Sequence, residues 1–306
     1  MPERLKSGAE ALGGNPATFR MLSAGLAPRT LVLAFHNVLS EGIGPRGDPS
    51  LHLPVDVFCE LVDWLAESFE IVSLDRAIET PESPDANPRA AITFDDAYVG
   101  AISVAIPELW RRRLPATVFA ITDTEPGQTF WWDALADGFV DGMPDSIRDA
   151  ALTEARGDET AVRAWAHSQG LPLSELEGEF VASSWESIRL AAKLPGITIA
   201  SHTRSHPNLA VLGTEGVTEE LEGSRLELQR RIPASRPWLA YPYGLSSPMV
   251  ETAAQSAGYE LAFRVTGGVM RRRDPPPSRH ALPRLNIPAG LSLRGFRLRA
   301  AGLLGR

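Results

Sequence analysis

The sequence predicts an α/β protein, an irregular (β/α) barrel carrying a helical insertion, and three observations lead there. Short apolar or β-branched runs recur along the chain, each followed by turn residues. Segments of helical period lie between many of them. Residues capable of chemistry fall just after the runs, where a parallel barrel gathers its strand ends on one face.

The runs are Leu31–Phe35, Ile71–Ser73, Ala91–Phe94, Ala116–Ile121, Ile197–Ala200, Trp238–Tyr241, Leu261–Val265 and Arg284–Ile287. Runs of this length fit buried parallel strands. About eight of them favour a barrel over a doubly wound sheet. Phe58, Leu61, Val62 and Leu65 repeat at helical spacing, with Asp56 as the N-cap. Leu221, Leu228 and Ile232 do the same in a later segment, with Glu219 and Glu220 in its first turn, where acidic groups suit the helix dipole. Residues 1–29, rich in Gly, Ala and Pro, read as an N-terminal arm, and 291–306 as a C-terminal tail. About 75 residues separate Ile121 from Ile197, far more than a strand–helix connection needs. Residues 122–196, with Trp131, Trp132, Trp165 and Trp185, therefore read as an inserted helical cap.

The chain has 306 residues, 43% hydrophobic and 22% charged, within the range of one large globular barrel. A net charge of -8 argues against a nucleic-acid partner, which requires clustered Lys and Arg. Two basic patches, Arg111-Arg112-Arg113 and Arg271-Arg272-Arg273, read as solvated surface, with contact to an anionic glycan or lipid as the other reading. The single cysteine, Cys59, excludes an intramolecular disulfide and a cysteine-based zinc cluster. No apolar stretch is long enough for a transmembrane helix, and no signal peptide is recognised, so the expected location is cytoplasmic.

His36 follows the first run, Asp95 and Asp96 the third, and His202 and His206 the fifth. Two imidazoles four residues apart can face one ion, although either could equally be a surface or capping histidine. The Asp pair could be a strand ending in a helix cap. Two carboxylates at the end of an apolar strand are nevertheless costly without a partner, and a divalent cation supplies one. One aspartate then binds the ion and the other acts as general base toward water. His52 and His167 lack a chemical setting and read as structural.

TFDDA at 93–97, SHTRSHP at 201–207 and LAYPYG at 239–244, in this order, resemble the polysaccharide deacetylase family, the NodB-homology group or carbohydrate esterase family 4. LVLAFHNV at 31–38, LPATVFAI at 114–121 and FWWD at 130–133 resemble segments of one subgroup, and the similarity spans roughly 30–290. The resemblance implies an irregular (β/α)7-8 barrel that removes acetyl groups from N-acetylated sugars. It implies Asp95 as base, Asp96, His202 and His206 as metal ligands, and the backbone around Tyr243 as part of an oxyanion site. Tyr241, Pro242, Trp131 and Trp132 are further candidates for substrate contact. The ligand set suits Zn²⁺, and Co²⁺, Ni²⁺ or Fe²⁺ are compatible.

Three positions depart from the family pattern. Ala97 stands where TFDDG has glycine. Ala240 stands where many members carry an arginine that contacts the base. Many members have a late histidine that serves as general acid; the corresponding stretch here reads HALPRLNIP, with His280 at its start and Arg284 within it. His36 is the preferred general acid, with His280 the alternative. An amidohydrolase acting on a non-sugar amide or a cyclic imide or ureide, and a catalytically weak glycan-binding module, are the competing functions.

Overall fold

Seven strands close edge to edge into a parallel barrel in a computed structural model that describes residues 29–79, 87–140, 142–271 and 277–301. Most of the 1–29 arm, Arg272 and Arg273 of the second basic patch, and the end of the C-terminal tail lie outside the described residues.

The chain begins with β1 (Arg29–Phe35), β2 (Asn37–Leu39), β3 (His52–Pro54), α1 (Val55–Ser68), β4 (Glu70–Ile71), α2 (Leu74–Ile78) and β5 (Arg89–Phe94). A π-helical turn at Ala101–Ala105 leads into α3 (Ile106–Arg111), then β6 (Ala116–Ala120), α4 (Trp131–Ala136), α5 (Asp145–Thr153), α6 (Glu159–Ser168) and α7 (Trp185–Ala191). The last part holds β7 (Ile197–Ser201), α8 (Thr214–Arg231), β8 (Trp238–Ala240), α9 (Pro248–Ser256), β9 (Leu261–Val265), β10 (Val269–Arg271), β11 (Leu282–Asn286) and α10 (Leu293–Ala300).

The ring runs β1–β5–β6–β7–β8–β9–β11 and returns to β1. Leu33 is in register with Ile92 on one side and Leu285 on the other, so β1 closes the barrel. The run at 71–73 stays outside the ring. Its strand β4 pairs only with the start of β5, along the edge that β6 takes further on. Side chains pointing inward form their own cluster, with Val32, Ala91, Phe119, Ala200, Ala240 and Phe263 among its members. Four of the seven strands thus place an alanine or valine inside, which leaves room for a larger guest at one level.

Helix α1 buries Phe58, Leu61, Val62, Trp64 and Leu65 against the barrel. Each such side chain contributes about 1.5–3 kcal/mol. The helix starts at Val55, so Asp56 sits in its first turn, where it favours the dipole, and not at the N-cap. Helix α8 starts earlier than the sequence pattern suggests, which puts Glu215 in its first turn; Glu219 and Glu220 lie further along. Cys59 is half-buried. In the first basic patch, Arg111 and Arg112 pair with Glu108, and Arg112 also reaches Asp63 at 3.0 Å.

The segment between β6 and β7 forms α4 to α7 and packs over the carboxyl ends of the strands. Backbone bonds fix it there. Ser183 N–H donates to Ala97 O (3.1 Å), Val99 N–H to Val181 O (2.9 Å) and Asn208 N–H to Arg156 O (2.8 Å). No helix among the described residues is long and apolar enough to cross a membrane.

Candidate active site

Strand geometry brings the polar positions together. Asp95 N–H still donates to Phe35 O (2.9 Å) and His202 N–H to Ala120 O (2.9 Å), so both residues leave their strands at the last rung. Beyond it the backbone turns sharply. Among the described residues seven non-glycine positions have positive φ, and five of them are Asp96, Ala97, Thr203, His206 and Tyr243. Left-handed backbone costs such residues about 1–2 kcal/mol each, and it concentrates here because the loops must re-aim side chains toward one point.

Asp96, His202 and His206 are buried, and one ligand atom from each lies within 4.8 Å of the others. Their closest atoms are Asp96 Oδ1 and the two Nε2 atoms, with 3.4 Å from Asp96 to His202, 3.5 Å to His206, and 3.1 Å between the histidines. His202 Nδ1 faces Ala240 O at 2.8 Å, which places the proton on Nδ1 and frees Nε2. Burial pushes the His202 pKa down to about 4. Burial, then the neighbouring His202, holds His206 well below the ordinary histidine range. Asp96 is raised well above the usual carboxylate range by burial, then by the charge of Asp95. Its Oδ1 is buried without a hydrogen-bond partner among the described residues. Two neutral imidazoles and an orphaned carboxylate oxygen fit a divalent cation, with the protein supplying three ligands.

The loop carrying the histidines is a tight turn, not a helix. Glu220, 9% exposed, accepts the N–H groups of Arg204 and Ser205 (both 2.9 Å) and the Ser205 hydroxyl (2.6 Å). Sequence reasoning placed Glu220 in a helix first turn and missed this role, because the contact joins α8 to a loop that spacing does not reveal.

Asp95 lies in a different setting. Arg284, fully buried on β11, holds it by two parallel bonds, Nη1 to Oδ1 at 2.6 Å and Nη2 to Oδ2 at 2.7 Å. Nη1 also donates to Thr93 Oγ1 (3.1 Å), and the guanidinium lies 5.2 Å from the centre of the Phe119 ring. Burial alone would raise the Asp95 pKa, but the charge of Arg284, with His202 next, holds it well below the carboxylate range. The guest inside the barrel is therefore an arginine. It comes from β11 and not from β8, where Ala240 is fully buried. The only sequence signal for it was an arginine at the head of the last apolar run.

His36 stands at the end of β1, half-buried, with Nδ1 lacking a hydrogen-bond partner among the described residues. Burial lowers its pKa, while the charge of Asp95 pulls it back up. His280 precedes β11, at the opposite end of the barrel, and its Nε2 lies 2.8 Å from Tyr259 O. It does not join the cluster.

The aromatic candidates divide. Tyr241 is fully buried, and its hydroxyl donates to His280 O at 2.9 Å; it faces the protein and not a substrate. Trp131 is 1% exposed and donates from its indole to Gly157 O and Tyr243 Oη, so it offers no ring face to a sugar. Trp132 is 4% exposed, with its ring 4.7 Å from that of His206. Pro242 and Tyr243 form a 3-10 turn with Gly244, and the Tyr243 ring packs on His206 at 4.6 Å. A cleft of about 430 Å³ opens beside His206, with Trp132 and Phe130 on one side and Arg204 and Asp123 on another.

The chain is thus an α/β barrel with a buried aspartate and two histidines at its carboxyl face, next to a clamped second aspartate. The family model for polysaccharide deacetylase matches residues 82–262, more than half of the chain, and the chain belongs to the polysaccharide deacetylase family. The fold is similar to that of a deacetylase, PplD, from Streptococcus pyogenes in complex with acetate, with a TM-score of 0.59 and 17% identity over 88% of this chain and 97% of that one. It is similar to IcaB from Ammonifex degensii (TM-score 0.61, 17% identity, 90% and 97% covered). A de-N-acetylase from Aggregatibacter actinomycetemcomitans gives a TM-score of 0.60 at 16% identity, with 89% and 99% covered. Among curated proteins none matches the chain in sequence.

Proposed function

We propose that the protein is a metal-dependent deacetylase of N-acetylated glycans, and that it releases acetate. The observation that carries this reading is the pairing of two unlike carboxylates. Asp96 shares a corner with His202 and His206, and Asp95 is clamped by Arg284 within reach of it.

Asp96, His202 and His206 would hold a divalent ion, most simply Zn²⁺, which when bound supplies Lewis-acid polarisation of the acetamide carbonyl and a more acidic water. Asp95 would accept a proton from the attacking water, with Arg284 fixing both of its oxygens. The backbone at Tyr243 offers an N–H to the developing oxyanion. His36 then donates a proton to the leaving amine nitrogen. Its lowered pKa makes the protonated imidazole a stronger donor, at the cost of a smaller protonated population at neutral pH. The cleft beside His206 is the approach for the glycan. The clamp supplied by Arg284 counts against a purely glycan-binding role as far as that role draws on the alanine at 240; its other support is the departure at the late histidine.

The test is acetate release from N-acetylglucosamine oligomers by metal-loaded protein. His202→Ala should abolish it and lose the metal by elemental analysis. One equivalent of bound metal with no acetate released from any N-acetylated sugar would sink the reading, and release of product from a cyclic imide instead would favour the amidohydrolase. His36→Gln should slow amide substrates about a hundredfold while sparing an activated aryl acetate, whose leaving group needs no proton.

A further inference from the structure

The FWWD segment ends in Asp133, a fully buried residue in the first turn of α4 that the mechanism above does not use. Three groups from other parts of the chain converge on its carboxylate. Asp48 N–H donates to Oδ1 at 2.8 Å, the Tyr98 hydroxyl to Oδ2 at 2.6 Å, and His52 Nε2 lies 3.0 Å from Oδ1. The direction of the histidine bond follows from Asn37. Its Oδ1 accepts Val38 N–H, so its Nδ2 donates to Glu179 O (2.9 Å) and to His52 Nδ1 (3.0 Å), which leaves the imidazole proton on Nε2 to face Asp133. Gly47, at φ +69, lies so close that a Cβ there would come within 2.5 Å of Asp133 Oδ1.

Two of these links lead to the metal corner. Tyr98 lies two residues beyond Asp96, on the loop that carries it. The Tyr98 hydroxyl also accepts the Trp132 indole N–H at 2.7 Å, and the Trp132 ring packs against His206 while stacking on Phe130 at 4.7 Å. One carboxylate thus fastens the loop after β5 and the aromatic wall behind a histidine of the turn after β7.

We propose that Asp133 is a positioning residue for the metal corner: through Tyr98 and Trp132 it sets the distance between Asp96 and His206, and with it the affinity for a divalent ion. This rests on the metal reading above. Outer groups that orient metal ligands typically change affinity ten- to a hundredfold when removed.

The experiment measures Zn²⁺ affinity of the purified chain by competition with a chromophoric chelator, alongside thermal unfolding of the metal-free protein. Tyr98→Phe, which keeps the ring and removes both hydroxyl bonds, should weaken affinity at least tenfold. Ile106→Val, a core change on α3 with a comparable loss of stability, should leave it unchanged. Trp132→Phe, which keeps an aromatic wall and loses the indole N–H, should fall between them and serves if Tyr98→Phe does not fold. Equal affinity in Tyr98→Phe, Trp132→Phe and wild type overturns the proposal, as does an equal loss in Ile106→Val. Wild-type protein that binds no metal overturns the metal reading itself, and the two failures are thereby distinct.

Discussion

Asp95 and Asp96 are adjacent in sequence, equally buried, and oppositely treated. Asp95 is paired on both oxygens by one guanidinium and held ionised; Asp96 keeps an oxygen without a hydrogen-bond partner among the described residues and is driven toward protonation. The first arrangement is complete within the chain, and the second calls for a cation. Burial is common to both, so the difference comes from what each strand end faces. Asp95 points inward at β11, while the left-handed turn at Asp96 swings its side chain to the histidine loop. Neighbouring acids pushed apart in this way are suited to different roles in one reaction.

The contrast can be broken by experiment. Asp95→Asn removes the proposed base and should lower turnover about a thousandfold, with metal content by elemental analysis unchanged; loss of metal would show that the corners are not separate. Arg284→Met strands the Asp95 carboxylate in the barrel and should cost about 3–5 kcal/mol in chemical denaturation. The double variant Asp95→Asn/Arg284→Met should recover part of that cost, and strict additivity would deny the clamp. Asp96→Asn should act in the other direction. It should abolish metal binding, yet it removes the cost of keeping a carboxyl group buried beside Asp95 and should raise the stability of the metal-free protein by about 1 kcal/mol. The smallest effect falls on Ala97, at φ 57. Ala97→Gly relieves left-handed strain and should stabilise the fold by up to about 1 kcal/mol, read as a rise in melting temperature.

The sequence made one of these corners more legible than the other. Asp96, His202 and His206 stand in short motifs whose residue types and spacing already suggest a metal, and the ring of strands that gathers them was visible as recurring apolar runs. The clamp on Asp95 was not visible. Arg284 meets Asp95 only when the barrel closes, and it lies outside the stretch 82–262 that matches the family, as does His36. The burial of Tyr241 and Trp131 was hidden for a related reason: an aromatic at a strand end or in a cap reads the same whether its ring faces solvent or core. Asp133 looked like the end of a motif, and its three partners lie 35 to 85 positions away in the chain.

The closure at β1 has a consequence for how the protein is made. β1 emerges first among the strands; β10 pairs the start of its second edge, and the part beside Leu33 and Ala34 waits for β11, the last described strand. Contacts this distant in the chain form slowly. Until they form, Asp95 has no guanidinium and the carboxyl end of β1 has no fixed neighbour on one side. A ribosome-bound or truncated chain would therefore carry Asp96, His202 and His206 and still lack the partner of Asp95, so the clamp can form only when synthesis has passed Arg284.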